Sequence, residues 1–188
     1  MSEVSILIPK ARIGALIGRK GEVKGKIEKT LKVTLKVDGE SGLVKIEPGE
    51  GADALSTLKA RDVVNAIARG FSPEKAFKLF NEDAMLEILD LRDIIGRSEN
   101  ALERLKGRVI GKDGKTRRLI EELTGAYVSV YGHTIAIIGN YDSLSIAREA
   151  VDMLLKGRQH STVYRFLGVK RREMKRRQRV ELWEKPPT

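Results

Sequence analysis

Apolar positions alternate with polar ones, then recur every three or four residues, then alternate again, and this plan occurs twice. Val4, Ile6 and Ile8 alternate with Glu3, Ser5 and Leu7 until Pro9 stops the run, which predicts a first strand. Residues 11–17 predict a short helix with Ile13, Leu16 and Ile17 on one side, and Gly18 to Gly21 break it. Val23, Ile27 and Leu31 lie four apart, the period of a helix over residues 22–31. Val33, Leu35 and Val37 alternate with Thr34 and Lys36, a half-buried strand. A turn over 38–42 and a strand over 43–47 complete a hairpin. Residues 53–69 predict a long helix with Leu55, Leu58, Val63, Ala66 and Ile67 as its apolar face, ended by Gly70. Ser72-Pro73-Glu74 opens a further short helix carrying Phe77, Leu79 and Phe80. The order is βααββα plus one helix.

The second half repeats that order. Residues 85–91 predict a strand, 98–106 a helix capped by Ser98, and 115–123 a helix ended by Thr124-Gly125. Ala126, Val128 and Val130 alternate, and Val128 and Val130 fall 93 positions after Leu35 and Val37. Residues 134–138 form a strand and 142–155 a helix. Later parts align at an offset of 87: Ala60-Arg61 with Ala147-Arg148, Gly70 with Gly157, Phe77 and Phe80 with Tyr164 and Leu167. A repeat of about 80 residues means tandem domains rather than a solenoid. The expected division is 1–81, 82–169 and a basic tail over 170–188. The fold class is α+β, with a three-stranded antiparallel sheet per unit and amphipathic helices covering one face.

Charge sharpens this picture. The net charge is +10, from 36 basic and 26 acidic side chains. Residues 82–169 balance, yet Arg104, Lys106, Arg108, Lys112, Lys115, Arg117 and Arg118 crowd around Asp113 alone. Such focused positive charge suits a polyanion. Cysteine is absent and only His133 and His160 are present, so thiolate and histidine metal sites are excluded, and no cofactor is expected. No apolar run approaches a membrane span and no signal pattern opens the chain, so a cytoplasmic protein is expected.

The charge surrounds two glycine loops, Gly18-Arg19-Lys20-Gly21 and Gly111-Lys112-Asp113-Gly114, each opening a helix. A helix N-terminus offers free N–H groups and a partial positive charge, which favour phosphate. Glycines let a sugar–phosphate chain approach the backbone closely. Arg19, Lys20 and Lys112 add charge in the loops; Lys24, Lys115, Arg117 and Arg118 follow on the next helices. Ile13 and Ile17, and Val109 and Ile110, are expected to floor a groove for unstacked bases. Asp at both Gly111 and Gly114 is expected to keep the fold and remove binding.

Ile17-Gly18-Arg19-Lys20-Gly21 and Ile110-Gly111-Lys112-Asp113-Gly114 resemble the signature of the K homology (KH) domain, in its eukaryotic-type (type I) order, as two tandem copies. Many KH domains place an aliphatic residue three positions after the second glycine; Lys24 and Arg117 stand there here, which implies a more electrostatic groove. A closer resemblance lies in residues 107–116, Ile120-Glu121, Leu123-Thr124, residues 135–139, Ala147-Arg148, Ala150 and residues 154–157. These are similar to the archaeal form of the Dim-two, or partner-of-Nob, family of small-subunit ribosome assembly factors, and to the related Krr family. The resemblance implies binding of precursor ribosomal RNA near the 3′ end of the small-subunit RNA. It also implies contacts with the Nob endonuclease and the alpha subunit of initiation factor two, by a monomer. Eukaryotic relatives lack a clean first G-x-x-G, whereas this chain has one, so both copies are expected to touch RNA. The expected contacts are Ile17, Gly18, Arg19, Lys20, Gly21 and Lys24 in the first copy. In the second they are Arg108, Ile110, Gly111, Lys112, Asp113, Gly114, Lys115, Thr116, Arg117 and Arg118.

An enzyme is disfavoured: no Walker loop, no histidine partner for a serine nucleophile and no clustered carboxylates occur. A protein-interaction scaffold, and a regulator of messenger RNA or single-stranded DNA, remain alternatives. Tyr127, Tyr131 and Tyr141 read as packing residues, and His133 as a surface residue in a hairpin turn. The basic block Lys170 to Arg179 reads as a helix along phosphate, a disordered arm or a solvated helical extension, and Trp183 is left unassigned.

Overall fold

The computed structural model describes residues 3–96 and 98–184, with side chains as far as Val180. Two antiparallel three-stranded sheets organise it. The first holds β1 (Val4–Leu7), β2 (Val33–Val37) and β3 (Leu43–Pro48), the second β4 (Met85–Asp90), β5 (Tyr127–Tyr131) and β6 (Thr134–Gly139). The strand orders are β1-β3-β2 and β4-β6-β5. In both the last strand is central, so β2 and β5 are edges. The hairpin registers set Leu35 opposite Ile46 and Val128 opposite Ile137.

The helices of the first unit are α1 (Lys10–Ile17), α2 (Glu22–Leu31), α3 (Ala54–Ala68) and α4 (Pro73–Ala76), which runs into a 3-10 turn over Phe77–Phe80. The second unit has α5 (Arg92–Ile95), α6 (Glu99–Ile110), α7 (Lys115–Thr124), α8 (Tyr141–Leu155) and α9 (His160–Glu184). Side-chain caps start several of them: Asp53 accepts from the Ser56 N–H at 2.6 Å, and Asn140 from the Ser143 N–H at 2.9 Å. At four residues, α5 is too short to leave a periodic signal and is absent from the sequence reading.

Each sheet buries one face against its own helices, but the second buries both. Ile135 and Ile137 of β6 join a core with Leu91, Ile120 and Leu154. The alternate residues Ala136 and Ile138 join the first unit's core with Ile67, Ala76 and Leu79, flanked by Leu86 and Tyr127. The first unit's helices therefore cover the outer face of the second sheet. The first sheet's outer face is instead polar, with Lys36 and Glu47 2.6 Å apart and Lys45 and Glu3 3.0 Å apart. Polar contacts fix the junction: the Ser129 hydroxyl donates to the Arg69 carbonyl at 2.8 Å, and Lys75 lies 3.2 Å from Glu121 and over the Tyr127 ring. Gly70, at φ 94°, passes so close that a Cβ there would sit 2.8 Å from both Ser129 and Tyr131.

Several expectations need correction. Leu55 and Leu58 are 50% and 46% exposed, and α3 buries Thr57, Ala60, Val64 and Ala68 beside Val63, Ala66 and Ile67. Their counterparts at offset 87, Asp142 and Ser145, border a groove against α9 near Met174 and Arg177. The first unit's extra helix stops at Phe80, so that side of α3 stays bare. The equivalent α9 is one 25-residue helix running through the expected 169/170 boundary, so the basic block is helical and not a disordered arm. No glycine or proline cap interrupts its charged continuation. Tyr127 and Tyr131 pack as expected, but Tyr141 is 75% exposed because it opens α8 at the surface. The side chain of Trp183 lies outside the described residues.

Candidate nucleic-acid interface

Both glycine loops adopt the same backbone. α1 ends at Gly18 (φ 74°, ψ −178°), a 3-10 turn follows, and α2 starts after Gly21 (φ 81°). α6 ends likewise at Gly111 (φ 72°, ψ 173°), and α7 starts after Gly114 (φ 74°). The residue before the second glycine also has positive φ: Lys20 at 50° and Asp113 at 52°. Neither has glycine's freedom, so the turn overrides their local preference in both copies.

The two glycines of each loop do different work. A Cβ on Gly18 would lie 2.5 Å from Val23 Cγ2 and 2.9 Å from the Val23 nitrogen, and one on Gly111 would overlap Thr116. The first glycine is therefore required by packing under the loop. A Cβ on Gly21 or Gly114 would meet nothing within 4 Å, so the second glycine faces open space. The same holds one helical turn earlier, at the exposed helical glycines Gly14 and Gly107. Glycine inside a helix costs roughly 0.5–1 kcal/mol relative to alanine, and packing demands neither of these. Each leaves bare backbone at the surface. Sequence reasoning passed over this pair, although the offset of 93 that relates the loops also relates Gly14 to Gly107.

An edge strand bounds each loop-bearing helix. Glu28 of α2 accepts the outward N–H of Leu35 at 2.8 Å, and Glu121 of α7 accepts that of Val128 at 2.9 Å. These carboxylates tie β2 and β5 to the helices that follow the loops. Lys24 lies 3.8 Å from Glu28, so it sits on the side of α2 that faces β2, and Arg117 is its counterpart at offset 93. The Nε of Arg117 is buried and has no hydrogen-bond partner among the described residues.

The expected contacts sort into three groups. Arg19, Lys20, Lys112, Asp113, Lys115 and Arg118 are exposed around the loops, with Gly18, Gly21, Gly111, Gly114, Ile17, Ile110, Lys24 and Arg117 half-buried beside them. Arg118 also donates to the Asp113 carbonyl at 2.7 Å, bracing the loop it flanks. Thr116 does not belong with them: it is 1% exposed, with its hydroxyl 2.8 Å from that of Tyr164. Arg108 is committed elsewhere, since its guanidinium donates to the carbonyls of Leu154 (2.9 Å) and Arg158 (2.5 Å) at the end of α8. Arg12 does the same for Ile67 (2.8 Å) and Phe71 (2.6 Å), the equivalent carbonyls at offset 87, from one helical turn earlier. Ile13 and Val109 are core residues and cannot floor a groove, whereas Ile17 and Ile110 are half-buried.

Among the described residues, no group of three or more His, Asp or Glu is placed to hold a metal. The most perturbed carboxylate, Asp90, lies under the second hairpin. The Arg92 side chain and N–H, with nearby His133, hold it down at about 2. His133 sits in the hairpin turn as expected, 3.5 Å from Asp90.

Comparison with known proteins adds the following. Residues 85–172 match a eukaryotic-type (type I) KH-domain family profile, and residues 3–65 match the KH-domain profile. A KH domain-containing protein of Methanocaldococcus jannaschii is 51% identical over 95% of this chain and 78% of that protein. The chain is 35% identical to the pre-rRNA-processing protein PNO1 of Chaetomium thermophilum, over 62% of this chain and 46% of that protein, so it spans about half of that relative. Dim2p of Pyrococcus horikoshii superposes with a TM-score of 0.84 at 50% identity, covering 89% of this chain and 99% of that one. A second structure from that organism, an eIF2α–Dim2p–rRNA complex, gives a TM-score of 0.85 at 48% identity, covering 92% and 95%. The chain belongs to the archaeal Dim2/PNO1 family of tandem KH proteins.

Proposed function

We propose that this protein binds single-stranded precursor ribosomal RNA near the 3′ end of the small-subunit RNA, as a non-enzymatic factor in rRNA processing and ribosome assembly. The observation that carries this reading is the pair of glycine loops whose second glycines face open space beside exposed cations. Phosphates would dock on the loops and the N-termini of α2 and α7, and unstacked bases would lie toward β2 and β5. Ile17, Ile110, Lys24 and Arg117 would meet those bases. The reading divides the chain into KH units over 1–81 and 82–169, with the basic segment 170–188 as an extension of the second. The related pre-rRNA-processing proteins and the Dim2p–rRNA complex support the RNA class. That complex also supports the alpha subunit of initiation factor two as a partner, while the Nob endonuclease rests on family resemblance. The protein acts in the cytoplasm as a monomer.

Titration of the full chain with a labelled oligonucleotide of the small-subunit 3′ end, beside its duplexed form, tests the reading. Tighter binding of the single strand, weakening steeply with salt, is expected. Equal affinity for both forms would point to charge alone and overturn it.

A further inference from the structure

Helix α9 carries more charge than either loop, and its arrangement is regular. It is anchored beside the second loop: Tyr164 holds Thr116, which lies under Gly111, and His160 Nε2 is 2.9 Å from the Arg108 carbonyl. Val163 and Leu167 are consumed in the core. On the opposite side, at helical spacing, stand Arg165, Arg172, Lys175, Arg176 and Arg179, all exposed. These positions follow the 3, 4 and 7 residue steps of one helix face and span about 21 Å at the rise of an α-helix. Glu173, the one acid between 160 and 180, lies off this face and pairs with Lys170 at 3.1 Å. Among the described residues, none of the five stripe cations makes an ion pair.

Gly168 interrupts the stripe. It is helical, and a Cβ there would meet nothing within 4 Å, so packing does not require its bare backbone. It leaves a notch between Arg165 and Arg172. Evenly placed cations suit a regular polyanion, and the apolar side chains exposed on this helix, Val169 and Val180, are small. A folded protein partner would need buried aromatic or apolar anchors, and an interfacial membrane helix a free apolar face.

We infer that the exposed face of α9 is a third RNA site, a rail for sugar–phosphate backbone continuing from the second glycine loop. This rests on the RNA reading above. The rail is sequence-independent: it adds affinity and fixes the direction in which the strand leaves the loop, while the grooves select bases.

The test uses the full chain with Arg172→Gln, Lys175→Gln, Arg176→Gln and Arg179→Gln combined, its helix content checked by circular dichroism. An RNA of about six nucleotides, enough for one KH groove, should bind this variant and the wild type alike. A single strand of about 20 nucleotides should bind the variant about 10- to 100-fold more weakly near physiological salt. The slope of log affinity against log salt should fall by about 2 or more. Long-RNA affinity within about twofold of wild type would overturn the rail, as would an equal loss for the short RNA. So would loss of binding to phosphatidylserine vesicles with RNA binding untouched. A wild type that binds neither RNA would remove the RNA reading itself, and the rail with it.

Discussion

At the residue scale, the two glycines of a G-x-x-G loop are not equivalent. Gly111 is confined by Thr116, whereas Gly114 is confined only by its own φ of 74°. Gly111→Ala should therefore destabilise the protein by roughly 2 kcal/mol or more, combining a left-handed backbone with a steric overlap. Gly114→Ala should cost roughly 1–2 kcal/mol. Urea denaturation of both variants checks the difference; equal losses would contradict the assignment. Asp at both positions would not leave the fold intact, contrary to the sequence expectation, so Gly114→Asp alone is the cleaner probe of binding. Asp90 supplies a pH prediction. Its folded pKa of about 2 lies below the ordinary value of about 3.9, so its contribution is present above that value and lost as pH falls through about 2. Asp90→Asn should flatten this part of the acid limb between about pH 4 and 2, and thermal melts across that window read it. The glycines and loop cations were legible because their spacing repeats. Thr116 was not, because a threonine between cations gives no sign that a tyrosine 48 positions later covers it.

At the element scale, the most informative parts are the ties between loop-bearing helix and edge strand. Glu28 and Glu121 occupy equivalent positions and satisfy equivalent N–H groups. Glu121→Ala leaves the Val128 N–H without its acceptor and removes the partner of Lys75, so a loss of about 1–3 kcal/mol is expected by denaturant unfolding. Periodicity found nearly every helix and strand, because each buries one side. It misjudged α3, where Leu55 and Leu58 looked like core. An apolar stripe shows that a face can be covered, not that a neighbour is long enough to cover it. The neighbour ends at Phe80 in one copy and continues as α9 in the other.

At the scale of the whole molecule, the repeat is structurally unequal. One sheet keeps a polar outer face, and the other is enclosed between two sets of helices. The expectation of helices on one face of each sheet missed this, although Leu43 to Glu47 mix apolar and charged residues whereas Thr134 to Ile138 carry no charge, the signal of a strand buried on both sides. The enclosed sheet couples the two units. Ile138→Asp places a charge in the first unit's core from the second unit's strand, at a cost above about 3 kcal/mol. Hydrogen exchange should then show faster opening in both sheets; loosening confined to the second would mean that the units are independent. The coupling also holds the two glycine loops in a fixed relation, so a single strand bound to both, as proposed, would meet them in one orientation.

The most direct test of two RNA clamps on this frame is ultraviolet crosslinking of the full chain to a single-stranded small-subunit 3′-end RNA, with adducts mapped by mass spectrometry. Adducts are expected on peptides from both loops, spanning Gly14 to Lys24 and Gly107 to Arg118, and loss of the second set in Gly114→Asp. Adducts confined to other surfaces, or unchanged in that variant, would contradict it.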